Sequence, residues 1–465
     1  MSRSVKRKAA SYVMACVLML MVALTGCSSG TNTPENQPQP ENTSANDQKS
    51  NESGKEEENK QQTVVDKKEL KADLKFLSPW GFGYEEQFNN VFADFMKVYP
   101  NIKVELLEQN INDLPALVAA GMTPDLIMMF NTVPAWREDK FVEDLAPYIE
   151  MDPDVDPSLF YKPAFDGYVE DGVWGLPLQD GANLLLVYHK DILDQYGYTE
   201  FPELNSLEEI NDFFQKFWVT DNGKQEMTTF APHESIGSTR NTLQTWAYAN
   251  GATTKTFYDP ETRKANFNDP LIVEALEWMV RFKNENIDEK RLSELQASLP
   301  ENTNRFQAGK QLMQPEFSTT VVNRLKENPD LGVTTMPLNS LWFGGWGMGM
   351  TSGGKNKDAA WELVKWMTST NEGAESLLKH FGWLSAKIEN PYLVEQAKTN
   401  PALKVAYEAM KEVKHSHLES LIPVDYFPEF DDKWPKVMDG SLSPKAFLDH
   451  MTEYIQELID KKYGK

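Results

Sequence analysis

The chain has 465 residues, 40% apolar and 25% charged, and its 70 acidic side chains against 46 basic ones give a net charge of −24 at pH 7. Binding to nucleic acid needs Lys and Arg clustered against phosphates, and lying on anionic lipid needs the same, so a balance this acidic argues against both. Two cysteines, Cys16 and Cys27, exclude a disulfide scaffold, and the length predicts two or three domain-sized units.

Arg3, Lys6, Arg7 and Lys8 precede an apolar stretch from Tyr12 to Leu24, which Thr25-Gly26-Cys27 closes. A basic start, a short apolar run and small residues before a cut predict a secretory signal over residues 1–26. The run of about 13 residues is shorter than the ~20 that a membrane-spanning helix needs. The small pair directly before a cysteine resembles the lipobox of bacterial lipoproteins, which implies that Cys27 becomes a lipid-bearing N-terminus. Two acyl chains would anchor it stably, at roughly 0.8 kcal/mol per buried CH₂. Cys16 leaves with the signal, as do four positive charges, so the remaining chain carries about −28 and no thiol free for a disulfide. Residues 27–70 are rich in Ser, Asn, Gln, Glu, Lys and Pro, and no aromatic residue occurs between Tyr12 and Phe76. Such a stretch cannot bury enough surface to offset its ordering entropy. It predicts a disordered tether with a root-mean-square span of roughly 35 Å, extensible to about 140 Å.

From Ala72 the pattern changes. Leu74-Lys75-Phe76-Leu77 predicts a first strand, and Glu85–Tyr99 a helix with Phe88, Phe92, Phe95 and Tyr99 on one face, ended by Pro100. Ile102–Leu107 predicts a second strand, Asp113–Ala120 a helix, and Asp125–Phe130 a buried strand. Ser206 and Glu209 have capping-box spacing before Ile210, Phe213, Phe214 and Phe217. Asp269-Pro270 predicts an N-cap and first turn before Ile272, Leu276, Met279 and Val280. Asp358–Met367 is helical by period, and Ser443-Pro444 opens a last helix through Leu448, Met451, Ile455 and Leu458. Strands alternating with helices predict an α/β unit with a mainly parallel sheet, and residues 71–465 contain no second linker.

Catalytic and metal patterns fail on spacing. Asp152, Asp154 and Asp156 resemble the start of a calcium loop, but Pro157 and Pro163 stand where glycine and glutamate are required; a solvated loop is expected. His415 and His417 do not share a helix face and lack a cysteine or His-Glu-x-x-His partner. Gly347-Met-Gly349 and Gly353-Gly354-Lys355 are incomplete nucleotide motifs, no Gly-x-Ser-x-Gly elbow occurs, and nothing selects a glycosidase acid pair. No metal and no cofactor is predicted. Aromatic residues beside glycine and proline do stand out, in Pro79–Tyr84, Val173–Gly175, Trp342–Gly347 and Phe381–Trp383. Loop aromatics form flat platforms on which sugar rings stack, with polar groups taking the hydroxyls. By helical period Trp218, Trp278, Trp361 and Trp366 are assigned to the core, and Trp174 to packing at a strand start.

The order of several segments then resembles the carbohydrate-type extracellular solute-binding proteins of ABC importers. The segments are Pro124-Asp125-Leu126-Ile127, Asp171–Pro177, Leu186–Leu193 (with His189 where the family has asparagine), Phe306–Met313 and Ser352–Trp361. The resemblance spans residues 72–465. It implies an α/β, two-lobed periplasmic-binding-protein-like fold with discontinuous lobes and a hinge. Lobe one would hold about 70–178 and 346–385, and lobe two about 182–343 and 388–465. It also implies a non-catalytic, monomeric receptor that binds a sugar, an oligosaccharide by preference, and delivers it to ABC permease subunits. The lipid anchor would be its one membrane contact, placing it on the outer face of the cytoplasmic membrane of a Gram-positive bacterium.

Carried over position by position, the resemblance implies ligand contacts from Trp80, Tyr84, Phe130, Asn131, Gln179 and Asp180, then Glu234, Trp246, Glu316 and Ser318, and finally Gly345, Trp346, Trp383 and Phe430, with Tyr426 and Phe427 nearby. Two other readings stay open: a receptor for a charged solute such as a glycerol-phosphate ester or uronate, using Arg137, Arg240 or Arg305, and a surface glycan-degrading enzyme. Replacing Cys27→Ala is expected to release the protein from the membrane and leave ligand affinity unchanged; a variant that still fractionates with membranes would refute lipidation at Cys27.

Overall fold

The first apolar run forms strand β1 (Ala72–Ser78), which buries Leu74, Phe76 and Leu77. This computed structural model describes residues 69–464 apart from 131–135, 138, 180–183 and 419–420. The predicted signal, Cys27 and tether, and also Asn131 and Asp180, lie outside the described residues.

Strands β2 (Ile102–Asn110) and β3 (Leu126–Phe130) run parallel to β1 on either side of it. Strand β4 (Leu176–Gln179) belongs to the same sheet. A second sheet then follows, with β5 (Leu184–His189) between β6 (Met313–Phe317) and β7 (Leu331–Thr334), both antiparallel to it. After β8 (Trp342–Phe343) the chain returns to the first sheet as β9 (Trp346–Met350), which enters antiparallel between β3 and β4. The first sheet's order is therefore β2-β1-β3-β9-β4. Finally β10 (His415–Ser416) pairs in parallel with β8.

Each sheet has its own core. Alternation along the first sheet sends Phe76, Leu126, Met128 and Met348 to one face and Leu77, Ile127 and Met129 to the other, as expected of a sheet covered on both sides. The first face is closed by helix α1 (Glu85–Val98), which buries Phe88, Val91, Phe92 and Phe95. The second sheet carries a larger cluster built on Leu184–Val187 with Phe214, Trp246, Trp278 and Phe447. The chain passes from the first sheet to the second between β4 and β5 and returns between β8 and β9.

The predicted helix starts are present. Ser206 Oγ accepts from the Glu209 N–H, while Glu209 reaches back to the N–H of Asn205 rather than that of Ser206. Asp269 accepts from the Leu271 N–H and Ser443 from that of Ala446.

The solvated loop expected at Asp152 is corrected. Asp152 is buried, and its Oδ2 accepts from Lys365 Nζ and Trp361 Nε1, both at 2.9 Å. Lys365 also pairs with Glu362 at 3.0 Å, and Tyr99 donates its hydroxyl to Glu362 at 2.6 Å. One buried ammonium thus holds two buried carboxylates. Lys365→Met removes it and leaves both carboxylates in the core, which is expected to cost about 3–5 kcal/mol in a urea unfolding titration. A change below ~1 kcal/mol would show that these charges do not depend on one another.

Candidate functional site

The end of β1 sets the first part of the site. Ser78 Oγ accepts from the Trp80 N–H at 3.2 Å and donates to the Gly81 carbonyl at 3.0 Å. Gly81 has φ +53°, and a Cβ there would lie 2.1 Å from the Glu108 carbonyl oxygen, so only glycine fits the turn that presents Trp80. Trp80 meets Tyr84 and Trp346 at ring-centroid distances of 5.1 Å each and Trp383 at 5.7 Å. Phe381 stacks on Trp383 at 3.7 Å and also reaches Tyr84.

The strand register supplies the rest of this wall. Trp346 is the cross-strand neighbour of Phe130 on β3 and of Gln179 on β4, and the Phe130 and Trp346 rings are 5.3 Å apart. Phe130 continues to His417, which packs on Trp342 and bonds through Nε2 to Asn241 Oδ1 at 2.8 Å. Burial, with Arg240 nearby, pushes the His417 imidazole down to about 3, so it is neutral at ordinary pH. Gly344 sits against it: a Cβ there would be 2.3 Å from the His417 Cβ. The next residue, Gly345, is buried and offers its carbonyl to the Tyr168 hydroxyl at 3.5 Å. Six of the sequence-predicted residues (Trp80, Tyr84, Phe130, Gln179, Trp346 and Trp383) are therefore brought together on the first half, with Tyr84 40% exposed.

The predicted residues Glu234, Glu316 and Ser318 lie on the second half. Glu234 forms an ion pair with Arg305 and accepts from the Ala231 N–H at 2.9 Å. Glu316 is buried and forked by Arg324, with Gln314 donating to it as well. Ser318 is buried at the start of helix α2 (Ser318–Glu327). Two predicted residues are corrected to core positions. Trp246 is wholly buried, donates Nε1 to the Pro232 carbonyl at 2.7 Å and packs on Trp278. Phe430 is buried between Trp434 and Phe447. Neither ring has a face left for a ligand.

The predicted contacts do not include Phe317 or His417, and Phe381 stands out in the sequence only as part of the Phe381–Trp383 aromatic segment. Phe317 lies between two predicted residues and points the other way along β6, 53% exposed, with its ring 4.0 Å from the Cβ position of Gly237. Two residues on, Thr319 lies 3.2 Å from the Cβ position of Gly382, next to Phe381 and Trp383. Phe317 therefore stands against the 234–237 turn of the second half, while the first turn of the helix that follows it meets the Gly382 turn of the first. A larger groove of about 820 Å³, lined by Leu325, Leu331, Val333, Pro401 and Val405, includes none of the predicted site residues.

Helix α3 (Asn371–Phe381) carries Phe381 at its end and is fixed to α1 just before it. Asp94 accepts from Ser376 Oγ at 2.9 Å and Lys97 Nζ at 2.6 Å, and bonds His380 Nε2 at 2.9 Å. Burial pushes the Asp94 carboxyl up, but the bonds from Lys97, His380 and Ser376 outweigh it and hold the group at about 2.

The fold and the cleft wall together define a two-lobed binding protein of the periplasmic type, with lobes assembled from discontinuous segments around a hinge. The profile of the bacterial extracellular solute-binding proteins matches residues 90–404, and the chain belongs to that family. Among solved structures it is similar to an ABC substrate-binding protein of Listeria monocytogenes in complex with cycloalternan. That match has 21% identity and a TM-score of 0.64, and covers 85% of this chain and 100% of the other. It is also similar to the sugar-binding protein MalE of Xanthomonas citri, with 18% identity, TM-score 0.65, and 84% and 98% covered. A Rhizobium etli sugar transporter in an open conformation gives 17% identity and a TM-score of 0.65, with 83% and 99% covered. Over 127 residues the chain is 28% identical to a Sinorhizobium fredii protein described as a probable amino-acid ABC transporter periplasmic-binding protein. That stretch is 24% of this chain and spans 28% of the relative's length.

Because Asp94 is held below its usual carboxylate range, its contribution to stability is complete above pH ~4 and is lost as pH falls through about 2. Asp94→Asn is expected to lower the melting midpoint at neutral pH and to flatten its fall between pH 4 and 2. Parallel pH profiles for variant and wild type would remove Asp94 from acid unfolding.

Proposed function

We propose that the protein is a non-catalytic receptor that binds an uncharged sugar, an oligosaccharide by preference, between its lobes and hands it to an ABC permease. The observation that carries this reading is the continuous aromatic wall of Tyr84, Trp80, Trp346 and Phe130, with Trp383 behind it. Indole and phenol faces match the apolar faces of sugar rings, and Gln179 and the polar groups of the second lobe supply hydroxyl partners. Solved relatives named for sugars or complexed with one support the same class.

The lobe limits we propose are about 70–178 with 346–385, and about 182–343 with 388–465; the two core clusters follow that division for most of the chain, with Ala164, Leu378 and Leu384 packing into the second. Hinge closure selects the ligand-bound form only by as much as ligand prefers it. The receptor is held by lipid at Cys27 on the outer face of the membrane as a monomer, and the tether gives it a high effective concentration near the permease.

The S. fredii relative's name raises an amino acid as ligand, and a phosphate ester or uronate is the other charged alternative. Each needs an uncommitted cation. The three arginines that would supply one are engaged within the protein: Arg137 with Glu170 at 2.7 Å, Arg240 with Asp431 at 2.6 Å, and Arg305 with Glu234. A neutral ligand suits these closed pairs.

Calorimetry against a panel of neutral glycans is expected to find micromolar binding, about −8 kcal/mol. Trp346→Ala is expected to weaken it by at least ~1 kcal/mol. Binding of an amino acid or a phosphate ester with no response to any glycan would overturn the ligand class.

A further inference from the structure

Lys365, Asp152 and Glu362 meet inside the first half, with side chains only 7%, 5% and 2% exposed. Asp152 follows the helix Ala146–Met151, whereas Glu362 and Lys365 lie one turn apart on the helix Lys357–Ser369, in the segment that returns with β9. The Lys365 nitrogen is 2.9 Å from Asp152 Oδ2 and 3.0 Å from Glu362 Oε2, so it touches both carboxylates. The surroundings are aromatic. Trp361 bonds Asp152 and packs on Tyr148, and Tyr99 bonds Glu362 and stacks on Phe95.

Burying three charges is costly, and one ammonium does not balance two carboxylates. The group has a chemical route to losing two of them. An amine and a carboxylate held in contact are the reactants of an amide, and their fixed approach replaces a chance encounter. In water the hydration of both ions opposes that step, and burial removes the hydration. The parts are already distributed. Lys365 Nζ is a nucleophile once it gives up a proton, and Glu362 is within reach to take it. The Asp152 carboxylate accepts from Trp361 Nε1 at Oδ2 and from the Asp154 N–H at Oδ1, at 3.2 Å, which draws charge away from Cγ. The Asp154 carboxylate is farther from Lys365, at 4.0 Å, and exposed, so it keeps its hydration and stays an ion.

We propose that Lys365 and Asp152 condense into an internal amide bond, with Glu362 as the proton carrier and the ion pair as the reactant state. Glu362 takes one proton from the ammonium. The electron pair freed on Nζ attacks Asp152 Cγ, and a C–N bond forms. One carboxylate oxygen then takes the proton held by Glu362 and a second from the nitrogen, its bond to Cγ breaks, and it leaves as water. The amide keeps one N–H, Glu362 is a carboxylate again, and no oxidant or reductant is needed. Two buried charges disappear, and the chain is closed across 213 residues. The described residues contain no cysteine, so no disulfide can do this. Like a disulfide, the bond narrows the unfolded ensemble. It fastens the early part of the first half to the segment that comes back to it after the second sheet.

The test is peptide mapping of the full-length protein, purified in its folded state, then unfolded in urea, digested with trypsin and analysed by mass spectrometry. The expected result is one branched peptide that carries both Asp152 and Lys365, is uncut after Lys365, and is lighter by one water than its two parts together. On a denaturing gel the wild type is expected to run ahead of Lys365→Met, whose unfolded chain has no closed loop. Glu362→Gln keeps the size of the side chain but does not carry the proton, and is expected to link at least about a hundredfold more slowly. If the wild type yields separate, unmodified peptides for Asp152 and Lys365, the bond does not form and the three groups are an ion cluster only. A loss of water that maps to any other residue overturns the proposal equally. If Glu362→Gln links as fast as wild type, Glu362 is not the proton carrier and that part of the proposal is wrong.

Discussion

The carboxylate of Asp125 joins three stretches of chain on which the first lobe depends. Its Oδ2 accepts from the Lys75 N–H on β1, 50 residues earlier, and its Oδ1 from the N–H groups of Lys355 and Asn356, about 230 residues later. Asp125 is buried, so each of these is a charge-assisted bond in a poorly screened setting. The anchor fixes the turn that follows β9. From there the register runs back along the strand, pairing Met350 with Leu126 and ending with Trp346 beside Phe130. Asp125 lies at one end of β3 and the aromatic wall at the other. A pin far from the cleft thereby sets where its central indole stands, in the crevice beyond the strand ends where open α/β sheets place their ligands.

The same logic explains the other segments by which the family is recognised. His189 bonds the Phe306 carbonyl at 2.8 Å, which brings the Leu186–Leu193 segment against Phe306–Met313. Asp144 accepts from the N–H of Val173, in the Asp171–Pro177 segment, and from that of Ala146, tying the approach to β4 against the start of a helix. These motifs are joints of the scaffold. The binding surface we propose is carried by other residues, in the turns and strand ends that the joints hold in place.

Much of the fold was legible because burial leaves a period in the sequence. The Phe88, Phe92, Phe95 stripe, the apolar run at Leu126–Phe130 and the caps at Ser206, Asp269 and Ser443 all correspond to elements of the structure. An aromatic beside glycine or proline was legible as part of the candidate wall at Trp80 and Trp346, whereas Trp383 is buried behind it. The site was not legible where an aromatic lies on a helix inside the second core. Trp246 and Phe430 occupy helix positions whose facing depends on neighbours distant in sequence. Phe317 was passed over although Glu316 and Ser318 were chosen, because strand alternation alone does not say which face meets the cleft. Asp152 looked like loop polarity, and only the approach of Lys365 from 213 residues away makes it an interior charge.

The insertion of β9 between β3 and β4 also has a temporal meaning. A chain made from its N-terminus outward has produced the whole second sheet before the strand that completes the first one exists. Until Trp346–Met350 emerges, β3 and β4 cannot be joined, and the earlier segments have no finished layer on which to settle. The first sheet must therefore stay open until late in synthesis, after the strands of the second are complete.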